Sequence, residues 1–162
     1  MSGPVLHTRE QFAFTANAPF DLAWPLFGAH KERDWAPDWN PSFVWPEKPV
    51  DREGMVFEVR RGDQAAIWVN TVFDATARRI QYVYLIPDVL VTVITLKLEP
   101  NADSTNVDVV YERTALAAAA NEIVRDMAAG DRLAGKEWSE QINTYLRHQP
   151  NLIDDPVPPS KA

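Results

Sequence analysis

The chain predicts an α+β fold: an early strand, two short helices, a long antiparallel meander that must curve, and one long C-terminal helix for it to curve around. Three observations carry this. Apolar residues recur at every second position through several runs after Gly54, the runs are separated by breakers too short for crossover helices, and from about Leu116 to Leu146 the apolar spacing changes to three or four.

The elements follow in order. QFAFTA, residues 11 to 16, alternates Phe12 and Phe14 with smaller side chains and meets Asn17, Ala18 and Pro19, a turn and cap signal. In PFDLAWPLFG the residues Phe20, Trp24 and Phe27 share a helical face, Pro25 predicts a kink or an early stop, and Gly28 ends the segment. Past a tryptophan-rich stretch, GMVFEVRRG alternates Met55, Phe57 and Val59 with Val56, Glu58 and Arg60, and Arg61-Gly62-Asp63 supplies a hairpin turn. AAIWVNTVFDA, RRIQYVYLIP and VLVTVITLKLEP are the next strands, with breakers at Asp74 to Ala77 and Pro87-Asp88. NADSTN then turns the chain into NVDVVYERT, where Val107, Val109 and Tyr111 alternate with polar residues. The last helix carries Ile123, Met127, Gly130, Ala134, Trp138, Ile142 and Tyr145 on one stripe. The stripe is small at Gly130 and Ala134, so either the helix lies close to the sheet there or space is left beneath it.

Composition narrows the function. At 162 residues, with 46% hydrophobic and 24% charged residues, the chain fits one domain over residues 1 to 149. Residues 150 to 162 read as a Pro-rich tail of poor order, with Pro150, Pro156, Pro158 and Pro159. A formal net charge of −7 argues against nucleic acid, because phosphate contacts need clustered Lys and Arg. The chain has no cysteine, so it has neither a disulfide framework nor a thiolate metal site, which agrees with a cytoplasmic setting. No apolar run approaches the ~20 residues that a transmembrane helix needs.

The order and spacing of FAFTANAPFDLAWPLFG, GMVFEV, FDATARRIQYVY, TLKLEP, STNVDVVYE and EWSEQINTYL resemble the START-like, or SRPBCC, superfamily. This helix-grip group includes birch-pollen-allergen-like proteins and polyketide cyclases, and the resemblance is to its bacterial members and runs from about residue 9 to residue 147. It implies a cavity between the concave sheet face and the long helix, with short helices and loops as its mouth. In the family pattern Leu96 and Leu98 point inward, and period two then places Leu90, Thr92 and Ile94 on the same face. The same alternation assigns Ile80, Tyr82, Tyr84 and Ile86 inward, with Val107, Val109 and Tyr111. For AAIWVNTVFDA, Trp68, Asn70 and Val72 compete with Ile67, Val69, Thr71 and Phe73, and the pattern leaves the face open.

Buried phenols need partners. Tyr82, Tyr84, Tyr111 and Thr92 therefore either bond to one another across strands or hold the polar atoms of a mostly apolar ligand. HKERDWAPDWNPSFVWP, residues 30 to 46, holds three of the six tryptophans and three prolines. In the implied fold Trp35 and Trp39 lie over the mouth as a lid, while Pro37 and Pro41 restrict the loop; alternatively Trp35, Trp39 and Trp45 cap the core. The ligand-facing set is Trp35, Trp39, Phe57, Tyr82, Tyr84, Thr92, Ile94, Tyr111, Met127, Gly130, Ala134 and Trp138.

Catalytic motifs are thin. His30 and Asp34 at i,i+4 are a weak metal signal, and Glu32-Arg33-Asp34 reads as a charged surface turn. Of Glu112 and Arg113 one should face the cavity, where it would orient a substrate or join a cross-strand ion pair. No nucleophile elbow, phosphate loop, dinucleotide fingerprint or zinc-protease motif occurs, so no cofactor or metal is expected. Three functions compete: binding of a small hydrophobic or aromatic molecule, a cyclase or dehydratase using Tyr82, Tyr84 or Tyr111 with Glu112 or Arg113, and a protein-interaction module of the heat-shock ATPase activator type built on the tryptophan segment.

Overall fold

The computed structural model describes residues 3 to 149; the expected Pro-rich tail, 150 to 162, lies outside the described residues. Seven antiparallel strands form a single sheet in the order β1-β7-β6-β5-β4-β3-β2. They are β1 (His7–Ala16), β2 (Ser42–Trp45), β3 (Val56–Arg61), β4 (Gln64–Asp74), β5 (Arg79–Ile86), β6 (Leu90–Asn101) and β7 (Ser104–Ala115). From β3 to β7 each strand pairs with its sequence neighbour, as short breakers dictate, and β1 closes on β7 with His7 opposite Thr114 and Ala16 opposite Thr105. The short β2, which the periodicity did not reveal, pairs with β3.

The period-two pattern fixes the inner face. Ile80, Tyr82 and Tyr84 of β5, the even residues from Leu90 to Leu98 of β6, and Val107 and Val109 of β7 are buried. The undecided strand resolves through a bulge. The two-residue turn at Gly62-Asp63, where Gly62 takes φ +61, sets Arg61 opposite Gln64, and counting back sets Phe57 opposite Trp68. Ala66, Trp68 and Asn70 therefore face inward up to the register shift between Asn70 and Val72, after which Phe73 faces Ile80 and packs inward. Asn70 is wholly buried and serves the bulge: oriented to meet acceptors, its amide nitrogen donates to the carbonyls of Val72 at 2.7 Å and Gln81 at 3.2 Å.

After β1, α1 (Phe20–Ala23) is only one turn long, and Pro25 passes it into a 3-10 turn over Trp24–Phe27. Side chains hold this corner: Asn143 accepts from the Asn17 amide at 2.8 Å and donates to the Thr15 carbonyl at 2.9 Å, while Thr105 Oγ1 donates to the Ala18 carbonyl at 2.9 Å.

The C-terminal helical segment is interrupted rather than continuous. It consists of α2 (Asn121–Asp131) and α3 (Ala134–Arg147), separated at Arg132 and Leu133. The buried face of α2 is Val124, Ala128 and Asp131, one step round from the expected stripe. An aspartate is read as polar in a pattern search, yet Asp131 is drawn under the helix by Arg113 of β7. Gly130 is thereby corrected: it is exposed, and a Cβ there would meet nothing within 4 Å. Ala134 packs partly against the core without lining the cavity. The close approach of helix to sheet falls instead at Gly135, where a Cβ would lie 3.0 Å from Phe12 Cδ1.

A candidate ligand cavity

Between the concave face and α3 lies a cavity of about 570 Å³. Its walls are largely aromatic: Trp68 from β4, Tyr82 and Tyr84 from β5, Tyr111 from β7, Trp138 from α3, and Trp35 and Trp39 from the tryptophan segment. Ile94 and Met127 complete the apolar lining among the expected residues. Exposed Pro37, Asp38, Arg61, Gln64 and Glu137 surround the mouth. The volume falls in the range of small-molecule pockets.

The tryptophan segment forms fixed wall rather than a loose flap. Trp35 Nε1 donates to the Leu26 carbonyl at 2.7 Å and Trp39 Nε1 to the Ala29 carbonyl at 2.8 Å, and Trp35 is only 7% exposed. Trp35 meets Trp138 edge-on at 5.9 Å, and Trp39 meets Trp68 edge-on at 5.3 Å. Trp45 belongs to neither lid nor core: it is 48% exposed and stacks under Arg52 at 4.9 Å. Phe57, expected at the ligand, is wholly buried behind Trp68, with the rings stacked at 5.5 Å.

The expected hydroxyl network is replaced by a buried cation. Arg113, 4% exposed, grips Asp131 with Nε to Oδ2 and Nη2 to Oδ1, both at 2.7 Å. Its Nη1 donates to Tyr84 Oη at 2.5 Å and Thr92 Oγ1 at 3.0 Å, and the guanidinium lies 4.9 Å from the Tyr111 ring centre. Burial opposes this charge, but the Asp131 carboxylate outweighs it and holds the Arg113 pKa above its ordinary value. Thr92 thus supports the arginine from behind and is absent from the lining. Tyr82 donates to the Phe27 carbonyl at 2.8 Å and Tyr84 accepts from Arg113, and among the described residues no tyrosine bonds to another tyrosine. Burial pushes the Tyr111 hydroxyl above the ordinary phenol range. Glu112 points the other way, 3.9 Å from His7 across the outer face of β1 and β7.

Glu32 is the residue that the sequence most misrepresents. It sits half-buried in a 3-10 turn, Lys31–Asp34, and lines the cavity. Burial, followed by the repulsion of nearby Asp51, raises its pKa from 4.5 to about 8. Asp51 accepts from the backbone amides of His30 at 2.7 Å and Lys31 at 3.2 Å, which anchors the turn. Its own pKa is raised by burial, against the pull of these amides. Gly28 makes the arrangement possible, because a Cβ there would overlap the Asp51 carboxyl. A sequence search has no signal for this contact: Gly28, Glu32 and Asp51 meet only once the sheet has brought the start of β3 under the turn. His30 packs edge-on against Phe43 at 5.8 Å, and among the described residues no three metal-binding side chains cluster.

No family model matches the chain, and no curated protein matches it. Solved structures do. The chain is similar to norcoclaurine synthase from Thalictrum flavum, with a TM-score of 0.66 at 12% identity over 88% of each chain. It is also similar to the Zhui aromatase/cyclase from Streptomyces sp. R1128, with a TM-score of 0.64 at 13% identity over 93% of this chain and 99% of that one. A third is the Mll3558 protein from Rhizobium loti, with a TM-score of 0.60 at 18% identity over 86% of this chain and 99% of that one. Among the described residues no helix is long and apolar enough to cross a membrane. With its seven-stranded antiparallel sheet curved against C-terminal helix, the chain has the helix-grip fold of the START-like, or SRPBCC, superfamily.

Proposed function

We propose that the protein binds a small, mostly apolar aromatic molecule between the sheet and α3. The observation that carries this reading is the cavity of about 570 Å³ walled by four tryptophans and three tyrosines. Stacking and edge contacts with flat rings match an aromatic guest, and open volume of this size left between core side chains is volume unused for packing. A solved structure of the same fold, norcoclaurine synthase, is a complex with dopamine and hydroxybenzaldehyde, which supports a small aromatic guest here.

Native mass spectrometry with organic extraction tests the reading. Wild type should carry a ligand, or take one up from an aromatic panel with quenching of tryptophan fluorescence, and Ala66→Trp, which fills the cavity from β4, should not. A wild type that takes up no member of the panel would refute it.

A second reading, a cyclase or dehydratase, is favoured by one specific observation: Glu32 is a titratable acid inside the cavity, with a pKa near the operating pH. On this reading Glu32 donates its proton to a departing hydroxyl, which leaves as water with the C–O electrons. The resulting Glu32 carboxylate takes the proton from the neighbouring carbon as the C–H electrons form the double bond. The extracted compound should be converted by wild type and returned unchanged by Glu32→Gln; conversion at equal rates would exclude that role. The protein-interaction alternative loses two of its anchors, since Trp35 and Trp39 are turned inward and hydrogen-bonded to the backbone, while Val44 and Trp45 of the same segment stay exposed.

A further inference from the structure

Resting on the ligand-cavity reading above, the charge distribution narrows the ligand class. Acids outnumber available bases around the cavity: Glu32, Asp38 and Glu137 line it, against Arg61 and Arg113. Arg113 is already committed to Asp131 through two bonds of 2.7 Å, and Arg61 is exposed at the rim. A carboxylate or phosphate ligand would therefore find no uncommitted cation in the interior. Glu32, by contrast, makes no side-chain hydrogen bond or ion pair among the described residues, and Asp51 beside it spends its oxygens on the amides of His30 and Lys31. The site thus pairs a carboxyl that has no counter-charge with walls that present ring faces, the two elements that recognise an organic cation.

We propose that the cavity takes an aromatic or arylalkyl ammonium, its nitrogen against the Glu32 carboxylate and its apolar body among Trp35, Trp68 and Trp138. The groups facing Glu32 fit this. Asp51 comes from the loop before β3, Tyr82 from β5 and Tyr111 from β7; Glu137 of α3 lines the same cavity, and the cations there are Arg61 of β3 at the mouth and Arg113 of β7, which Asp131 already holds. An ammonium supplies what these groups lack. Because the empty site favours the protonated acid, binding at neutral pH displaces the Glu32 proton to solvent.

The probes are (2-phenylethyl)trimethylammonium, whose charge does not titrate, and neutral 2-phenylethanol. Both are titrated by tryptophan fluorescence and by calorimetry from pH 6.5 to 9. The cation should bind the more tightly, with affinity rising roughly tenfold between pH 7 and pH 9 as the ionised fraction of Glu32 grows from about a tenth to about nine tenths, and with proton release at pH 7. Glu32→Gln should abolish the pH dependence and bring the two affinities together, while Glu32→Asp, which keeps the charge, should retain the preference. Equal, pH-independent binding of both probes would overturn the ammonium inference and leave the cavity reading standing. Tighter binding of the alcohol, weakening above pH 8, would overturn it in favour of Glu32 as a neutral donor. If neither probe binds, both readings fall.

Discussion

Replacing Glu32 by glutamine should stabilise the protein, and by an amount that depends on pH. The folded chain holds the Glu32 proton up to about pH 8, whereas the unfolded chain releases it near 4.5. Between those values the native state binds more protons, so the stability of wild type falls as pH rises through the window and levels off above it. The full separation corresponds to roughly 5 kcal/mol at about 1.4 kcal/mol per pH unit. Because the carboxyl borders a cavity that admits water, about 2 kcal/mol is the expected share. Asp51 shifts in the same direction but is present in both proteins, so it largely cancels in the difference. Urea unfolding at pH 4, 6, 7, 8 and 9 measures this. The gain of Glu32→Gln over wild type should be near zero at pH 4, grow steadily, and plateau above pH 8. Parallel stability curves, or a variant less stable than wild type at pH 8, would refute the buried-acid assignment.

Arg113→Met should destabilise by about 3–5 kcal/mol, because it strands the Asp131 carboxylate beneath α2; Arg113→Met with Asp131→Leu should recover most of the loss in denaturant titrations. Gly28→Ala should lose about 1–3 kcal/mol through overpacking against Asp51. Displacing that carboxylate should also lower the Glu32 pKa below about 8, which carbon-detected NMR titration reads directly. Asn143→Ala removes the partners of the Asn17 amide and the Thr15 carbonyl, and should cost about 2 kcal/mol in thermal or urea unfolding without changing the ligand affinity of the cavity.

The fold was legible because it is written in periods. Alternation through β5, β6 and β7 states which residues face the concave side, and hydrophobic burial enforces that choice, since a one-residue slip would expose Tyr82, Ile94 and Val109 together. The same logic reached Trp68 only through the turn at Gly62, which sets the register, and it fails past Asn70, where the bulge changes the face in the middle of the strand. The helix stripe misled for a related reason. Hydrophobicity selects Met127 and Gly130, while the packed face of α2 ends on Asp131, an acid that becomes a core residue only because Arg113 lies opposite it.

The site resisted reading for a deeper reason. Lys31–Asp34 carries four charged residues in succession, and any local argument puts such a turn in water. What turns Glu32 to the cavity is not local: Asp51, nineteen positions later, ties down the turn by its backbone, and Gly28 leaves room for that carboxyl. A structure that needed only stability would not set a second carboxyl beside Glu32 at the cavity wall, since Asp51 makes Glu32 harder to ionise. The arrangement is unfavourable in the empty protein and becomes favourable when a positive charge enters the cavity. Stability lost above neutral pH and affinity gained there should therefore trace to the same side chain, and Glu32→Gln should remove both.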